Sequence, residues 1–146
     1  MALLELKSVN LSLGGPPVLD QVDLGVEKGE RICLLGRNGE GKTTLLRLLA
    51  GEMRPDSGEV IRRSGMGIGF LPQEVPTDLS GPVREVVAGG LAGRAELATG
   101  ESWRLEHLVE TILEQAGLDG KAEFTALSMG NKRRVLLARA LVGEPE

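Results

Sequence analysis

Residues 32–51 read ICLLGRNGEGKTTLLRLLAG, and this succession of apolar run, glycine-rich loop and leucine-rich run decides the fold. Ile32, Cys33, Leu34 and Leu35 are continuously apolar and stop at Gly36, the pattern of a strand covered on both faces. From Lys42 onward, Leu45, Leu46, Leu48, Leu49 and Ala50 recur at helical spacing and predict a helix with a broad buried stripe, ended by Gly51. Between the two, Gly36, Gly41, Lys42 and Thr43 meet the spacing G-x-x-x-x-G-K-[ST] of a phosphate-binding loop. Each residue type has a task in such a loop. Glycines let backbone N–H groups turn around phosphates, Lys42 offers a cation to the β- and γ-phosphates, and Thr43 offers a hydroxyl to Mg²⁺. The start of the helix adds its own positive end. In a chain with 21 glycines the competing explanation is a glycine turn that merely precedes Lys-Thr, and the flanking strand and helix weigh against it. The run from Gly36 through Arg37, Asn38, Gly39, Glu40, Gly41, Lys42 and Thr43 to Thr44 is therefore the expected triphosphate site, with ATP as ligand and Mg²⁺ beside it.

Upstream, LLELKSVNLSL, the break GGPP and VLDQVDLGVEKGE alternate apolar and polar residues and predict a small β layer. Downstream, GEVIRR and GMGIGFLPQ are short strand candidates separated by Ser64-Gly65. The segment 73–82 is punctuated by proline and reads as loop, followed by a brief helix from Pro82 to about Ala92. Residues 93–102 read as an exposed connection. Leu105, Leu108, Val109, Ile112, Leu113 and Ala116 then repeat at helical spacing over Trp103–Ala116, with Ser102 as N-cap and Gly117 beyond the end. A last helix is predicted over Met129–Val142 with Ser128 at its N-cap. This order gives an α/β fold in a single domain.

Composition narrows the classes. A chain of 146 residues, 41% of them hydrophobic, can bury one packed core. No apolar run approaches the roughly 20 residues that cross a bilayer, and MALLELKSVNLSL lacks the basic start of a signal peptide, so a cytoplasmic protein is expected. The net charge of -4 gives no overall nucleic-acid footprint, although Arg62-Arg63 and Lys132-Arg133-Arg134 are local basic clusters. Cys33, alone in its apolar run, reads as a buried, reduced thiol.

With these segments in order, GRNGEGKTTLLRLLAG resembles the Walker A region of ATP-binding-cassette (ABC) ATPases, and the resemblance spans almost the whole chain. FLPQE, centred on Gln73, resembles the family's Q-loop, whose glutamine helps hold Mg²⁺ and the attacking water. LSMGNKRRVLLARALVGEP resembles the signature motif LSGGQ and the helix behind it, matching at Leu127, Ser128 and Gly130. The resemblance implies a P-loop nucleotide-binding domain divided into a β layer and P-loop core over 1–72, a Q-loop and helical subdomain over 73–128, and the signature with its helix over 128–142. It implies catalytic roles for Lys42 and Gln73, metal roles for Thr43 and Gln73, and nucleotide contacts from Ser128 and Gly130. GRNG, LPQE and KRRVLLARAL together look most like the ABC-F group, particularly its Uup-like members, which carry a second cassette in the same chain and work with the ribosome or nucleic acid. The alternatives are the nucleotide-binding subunit of a membrane transporter, paired with a second cassette, and an inert truncated relic.

The chain departs from the family pattern in several places. Met129 replaces the first glycine of the signature pair and Asn131 the usual glutamine, which hinders close backbone approach to a γ-phosphate from an opposing cassette. There is no tyrosine, and Leu13 stands where the family places an adenine-stacking aromatic, so weaker base selectivity and tolerance of GTP are expected. The sequence given ends at Glu146, just after GEP, where the family continues into the Walker B strand with its catalytic glutamate, so negligible hydrolysis is expected of these residues alone. His107, inside the Trp103–Ala116 helix, is expected to be a partly exposed helix residue and not the family's switch histidine.

Overall fold

The computed structural model describes residues 2–92 and 102–146, and these form two compact units, residues 1–66 with Glu146 and residues 67–145. Of the connection expected over 93–102, residues 93–101 lie outside the described residues and Ser102 belongs to a helix.

The first unit is built on β1 (Leu4–Ser12), the central strand of a three-stranded antiparallel sheet of order β2-β1-β3, with β2 at Pro17–Val26 and β3 at Ser57–Arg62. Leu4, Leu6, Val9 and Leu11 face the core. Strict alternation would turn Val9 and Leu11 outward after Leu6, and an irregularity at Ser8, where φ is 46°, restores them to the buried face. Asn10 stitches that irregularity across all three strands: its Nδ2 donates to Ser8 O at 3.1 Å and to Ser57 Oγ at 3.0 Å, and its Oδ1 accepts from Gln21 N at 2.9 Å.

Helix α1 (Lys42–Ala50) begins and ends at the expected residues. It buries Leu45 and Leu48 against Leu6, Val9, Leu11 and Leu19. The stripe is narrower than expected, since Leu46 is exposed. Gly51, at φ 90°, turns its N–H back to the final turn. Arg62 of β3 completes that end, donating from Nη2 to Leu48 O at 2.8 Å and from Nε to Leu49 O at 3.3 Å.

One expectation fails in this unit. Ile32–Leu35 is not a strand, and Leu35 is 85% exposed. Cys33 is likewise exposed and not a buried thiol. A strand exists only through hydrogen bonds to a neighbour, and among the described residues no other segment pairs with this run.

The second unit packs α2 (Val83–Ala88), a 3₁₀ turn at Gly89–Leu91, α3 (Ser102–Ala116) and α4 (Met129–Leu141) around Val87, Leu105, Val109, Leu113, Phe124 and Val135. The helix expected from Pro82 is thus shorter and tightens into the 3₁₀ turn. The tight end brings Gly90 against α4, where a Cβ would overlap Arg139 O. Ser102 is the first helical residue of α3 and not its cap, whereas Gly117 closes that helix as expected, at φ 63° and with Leu118 N donating to Leu113 O at 2.9 Å. GMGIGFLPQ forms no strand. Gly67 and Gly69 instead lie against the end of α4, with a Cβ on Gly69 overlapping Ala140 O.

Candidate functional site

All residues of the loop from Gly36 to Thr44 lie in the first unit. Two glycines carry the turn into α1: Gly39 has φ 86°, and Gly41, the N-cap of α1, has φ 91° and ψ 12°. Only glycine adopts these values without strain. Gly41 is also confined by β2, since a Cβ there would overlap Val18 Cγ1 and lie 3.3 Å from Val18 O. The sheet edge at Val18 therefore presses directly on the residue where α1 starts.

The side chains of Glu40 and Lys42 hold the loop's own backbone. Lys42 Nζ donates to Gly36 O at 2.5 Å and to Arg37 O at 2.8 Å, which draws the ammonium across the loop instead of out into solvent. Glu40 Oε2 accepts from Arg37 N at 2.7 Å. Thr43 is exposed at the start of the helix, with no acidic residue in the first turn to repel a ligand of negative charge. Chemically the loop sets a helix N-terminus, two left-handed glycines and one lysine close together, parts that suit an anion.

The donor set suits Mg²⁺ only in company. Thr43 supplies one hydroxyl oxygen, and no group of three or more His, Cys, Asp or Glu able to hold a metal occurs among the described residues. A cation that takes about six oxygens would draw most of them from phosphate and water.

Gln73, Ser128 and Gly130 belong to the second unit. Gln73 is exposed in an irregular bend. Ser128 caps α4, its Oγ accepting from Asn131 N at 3.3 Å. Gly130 has open space where a Cβ would point, and Met129 beside it is 57% exposed. Lys132 lies over the Phe124 ring at 5.8 Å from its centroid, a contact not foreseen from sequence. His107 lies on α3, as expected, and is exposed.

With this loop, cap and helix order in place, comparison with known proteins becomes informative. The family model described as ABC transporter matches residues 19–146. This chain belongs to the ABC transporter family. Membership implies an ATP-binding domain of the ABC type, and ATP hydrolysis as the general activity of the family. The zinc import ATP-binding protein ZnuC of Chromohalobacter salexigens is 38% identical over 148 residues, covering 100% of this chain and 58% of its own length. The ATP-binding protein Uup of Haemophilus influenzae is 31% identical over 176 residues, again across 100% of this chain but only 27% of its own. Among solved structures, an inward-facing putative metal-chelate type ABC transporter superposes with a TM-score of 0.72 at 27% identity, covering 98% of this chain and 56% of that one. The chain thus spans little more than half the length of the ZnuC relatives it matches.

These likenesses bear out the ABC-type α/β fold. They do not single out the Uup-like subgroup, because ZnuC proteins are at least as similar as Uup. No helix among the described residues is long and apolar enough to cross a membrane.

Proposed function

We propose that this chain is the nucleotide-binding part of a cytoplasmic ATP-binding subunit that drives a membrane transporter, working as a pair with a second cassette. The observation that carries the reading is the match of residues 19–146 to the ABC transporter family, supported by the left-handed Gly39 and Gly41 and by Lys42 on the loop at Gly36–Thr44. Relatives named as zinc import ATP-binding proteins support a transporter setting. In this reading the N–H groups of Arg37, Asn38, Gly39, Glu40 and Gly41 and the start of α1 hold the phosphates of ATP, and Lys42 moves from the Gly36 and Arg37 carbonyls to the β- and γ-phosphates. The hydroxyl of Thr43 would attend Mg²⁺, which would neutralise developing charge on the phosphates when bound, and the likeness of FLPQE to the family's Q-loop gives Gln73 a metal role by resemblance. Ser128 and Gly130 face the nucleotide of the opposing cassette.

A ribosome- or nucleic-acid-linked role of the ABC-F kind is the second reading, favoured by the Uup relatives and by the basic turn Lys132–Arg134. The two separate on fractionation of cells carrying the tagged full-length protein. A transporter subunit sediments with membranes and releases at high salt, whereas co-sedimentation with ribosomes overturns the transporter reading. In both settings Lys42→Ala is expected to weaken Mg-ATP binding at least about tenfold, since a charge-assisted contact of this kind contributes roughly 1.5–3 kcal/mol. Undiminished binding would refute the loop as the phosphate site.

A further inference from the structure

Glu40 stands two residues ahead of Lys42 in the middle of the loop, with its carboxylate turned back on the loop itself. Oε2 accepts from Arg37 N at 2.7 Å, and a Cβ placed on Gly36 would lie 2.7 Å from the same oxygen. The backbone closes the same short circuit, with Glu40 N donating to Arg37 O at 3.3 Å. Lys42 Nζ completes it from the other side through Gly36 O and Arg37 O. The segment that should receive a polyanion therefore already carries one negative charge, seated on a loop N–H.

We propose that Glu40 is a built-in competitor of the phosphate chain, which must lift its carboxylate from Arg37 N before a triphosphate can settle in the loop. Two effects act in the same direction. A charge-assisted hydrogen bond has to be broken, and the carboxylate stays close enough to repel the incoming phosphates. Affinity for triphosphate is then set below what the glycines, Lys42 and the α1 terminus would give by themselves, which favours release over retention. The opposite role is also physically possible: a carboxylate that staples the loop could hold it ready for phosphate. Charge separates the two, because a neutral amide can keep the staple but not the repulsion.

The inference rests on the loop being the phosphate site. Its test compares wild type, Glu40→Gln, Glu40→Ala and Lys42→Ala in the full-length protein, measuring binding of Mg-ATP and of inorganic tripolyphosphate, which has the charge without the base. A competitor predicts that both Glu40 variants bind either probe about tenfold tighter than wild type. The gain should shrink as salt rises from about 0.01 M to about 1 M, where the screening length falls from roughly 30 Å to 3 Å. Binding that disappears in Lys42→Ala but is unchanged or weaker in both Glu40 variants overturns the competitor while leaving the phosphate site intact. Saturable binding by none of the proteins overturns the phosphate site, and the competitor with it. Circular dichroism of each variant guards against misfolding, and the exposed position of Glu40 makes the Gln variant structurally mild.

Discussion

The three loop glycines look alike in the motif but differ in what holds them, and alanine at each should separate the causes. Gly36 does not have positive φ, and the one close approach of a Cβ there is to Glu40 Oε2, the movable end of a flexible side chain, with Lys42 Cδ at an ordinary 3.8 Å. Gly39 has φ 86° and nothing within 4 Å of its Cβ position. Gly41 combines φ 91° with the overlap on Val18. Alanine in the left-handed region costs about 1–2 kcal/mol, and overpacking against a constrained neighbour about 1–3 kcal/mol more. The expected losses therefore rise from under about 0.5 kcal/mol for Gly36→Ala, through about 1–2 for Gly39→Ala, to about 2–5 for Gly41→Ala. The assay should report on the first unit, and the only tryptophan, Trp103, lies in the second. Hydrogen exchange at the α1 amides, read as opening free energy, meets that need. Adding Val18→Ala tests the cause. A double-mutant cycle should recover the overlap contribution, at least about 1 kcal/mol of favourable coupling, and leave the cost of φ in place. Equal losses at Gly39 and Gly41, or no coupling to Val18, would refute the claim that β2 confines the start of α1.

Ser128→Ala should destabilise the second unit by about 1 kcal/mol through loss of the α4 cap, visible as a lower urea midpoint followed by Trp103 fluorescence. Leu13, 58% exposed in the β1–β2 turn, is expected to leave adenine without an aromatic face, so ATP and GTP should bind within a few-fold of each other, with Leu13→Tyr favouring ATP; strong wild-type preference for ATP would end that reading.

What the sequence disclosed and what it hid follow one physical line. Helices α1 and α4 were legible with their ends because their determinants are local: Gly41 and Gly51 at one helix, Ser128 at the other, with apolar residues at short regular spacing between. The loop was legible as a motif for the same reason. Ile32–Leu35 and GMGIGFLPQ misled because a continuous apolar run states only a wish for burial, whereas a strand requires a distant partner that no local pattern names. Val18 against Gly41, and Arg62 against the carbonyls of Leu48 and Leu49, join residues far apart in the chain. Neither contact has a sequence signature beyond the arginine's position in GEVIRR. The carboxylate of Glu40 lies within three residues of its partner, yet a variable position in a motif gives no hint of which way its side chain turns.

Arg62 gives α1 a mechanical role. The nine-residue helix is about 13 Å long, and while its first turn belongs to the loop of Lys42, its last carbonyls are tied to β3. A helix whose last carbonyls are tied to a neighbouring strand has fewer free groups from which to fray, so its far turn is held to the sheet. The guanidinium is thus the pin that fastens the far turn of α1 to β3.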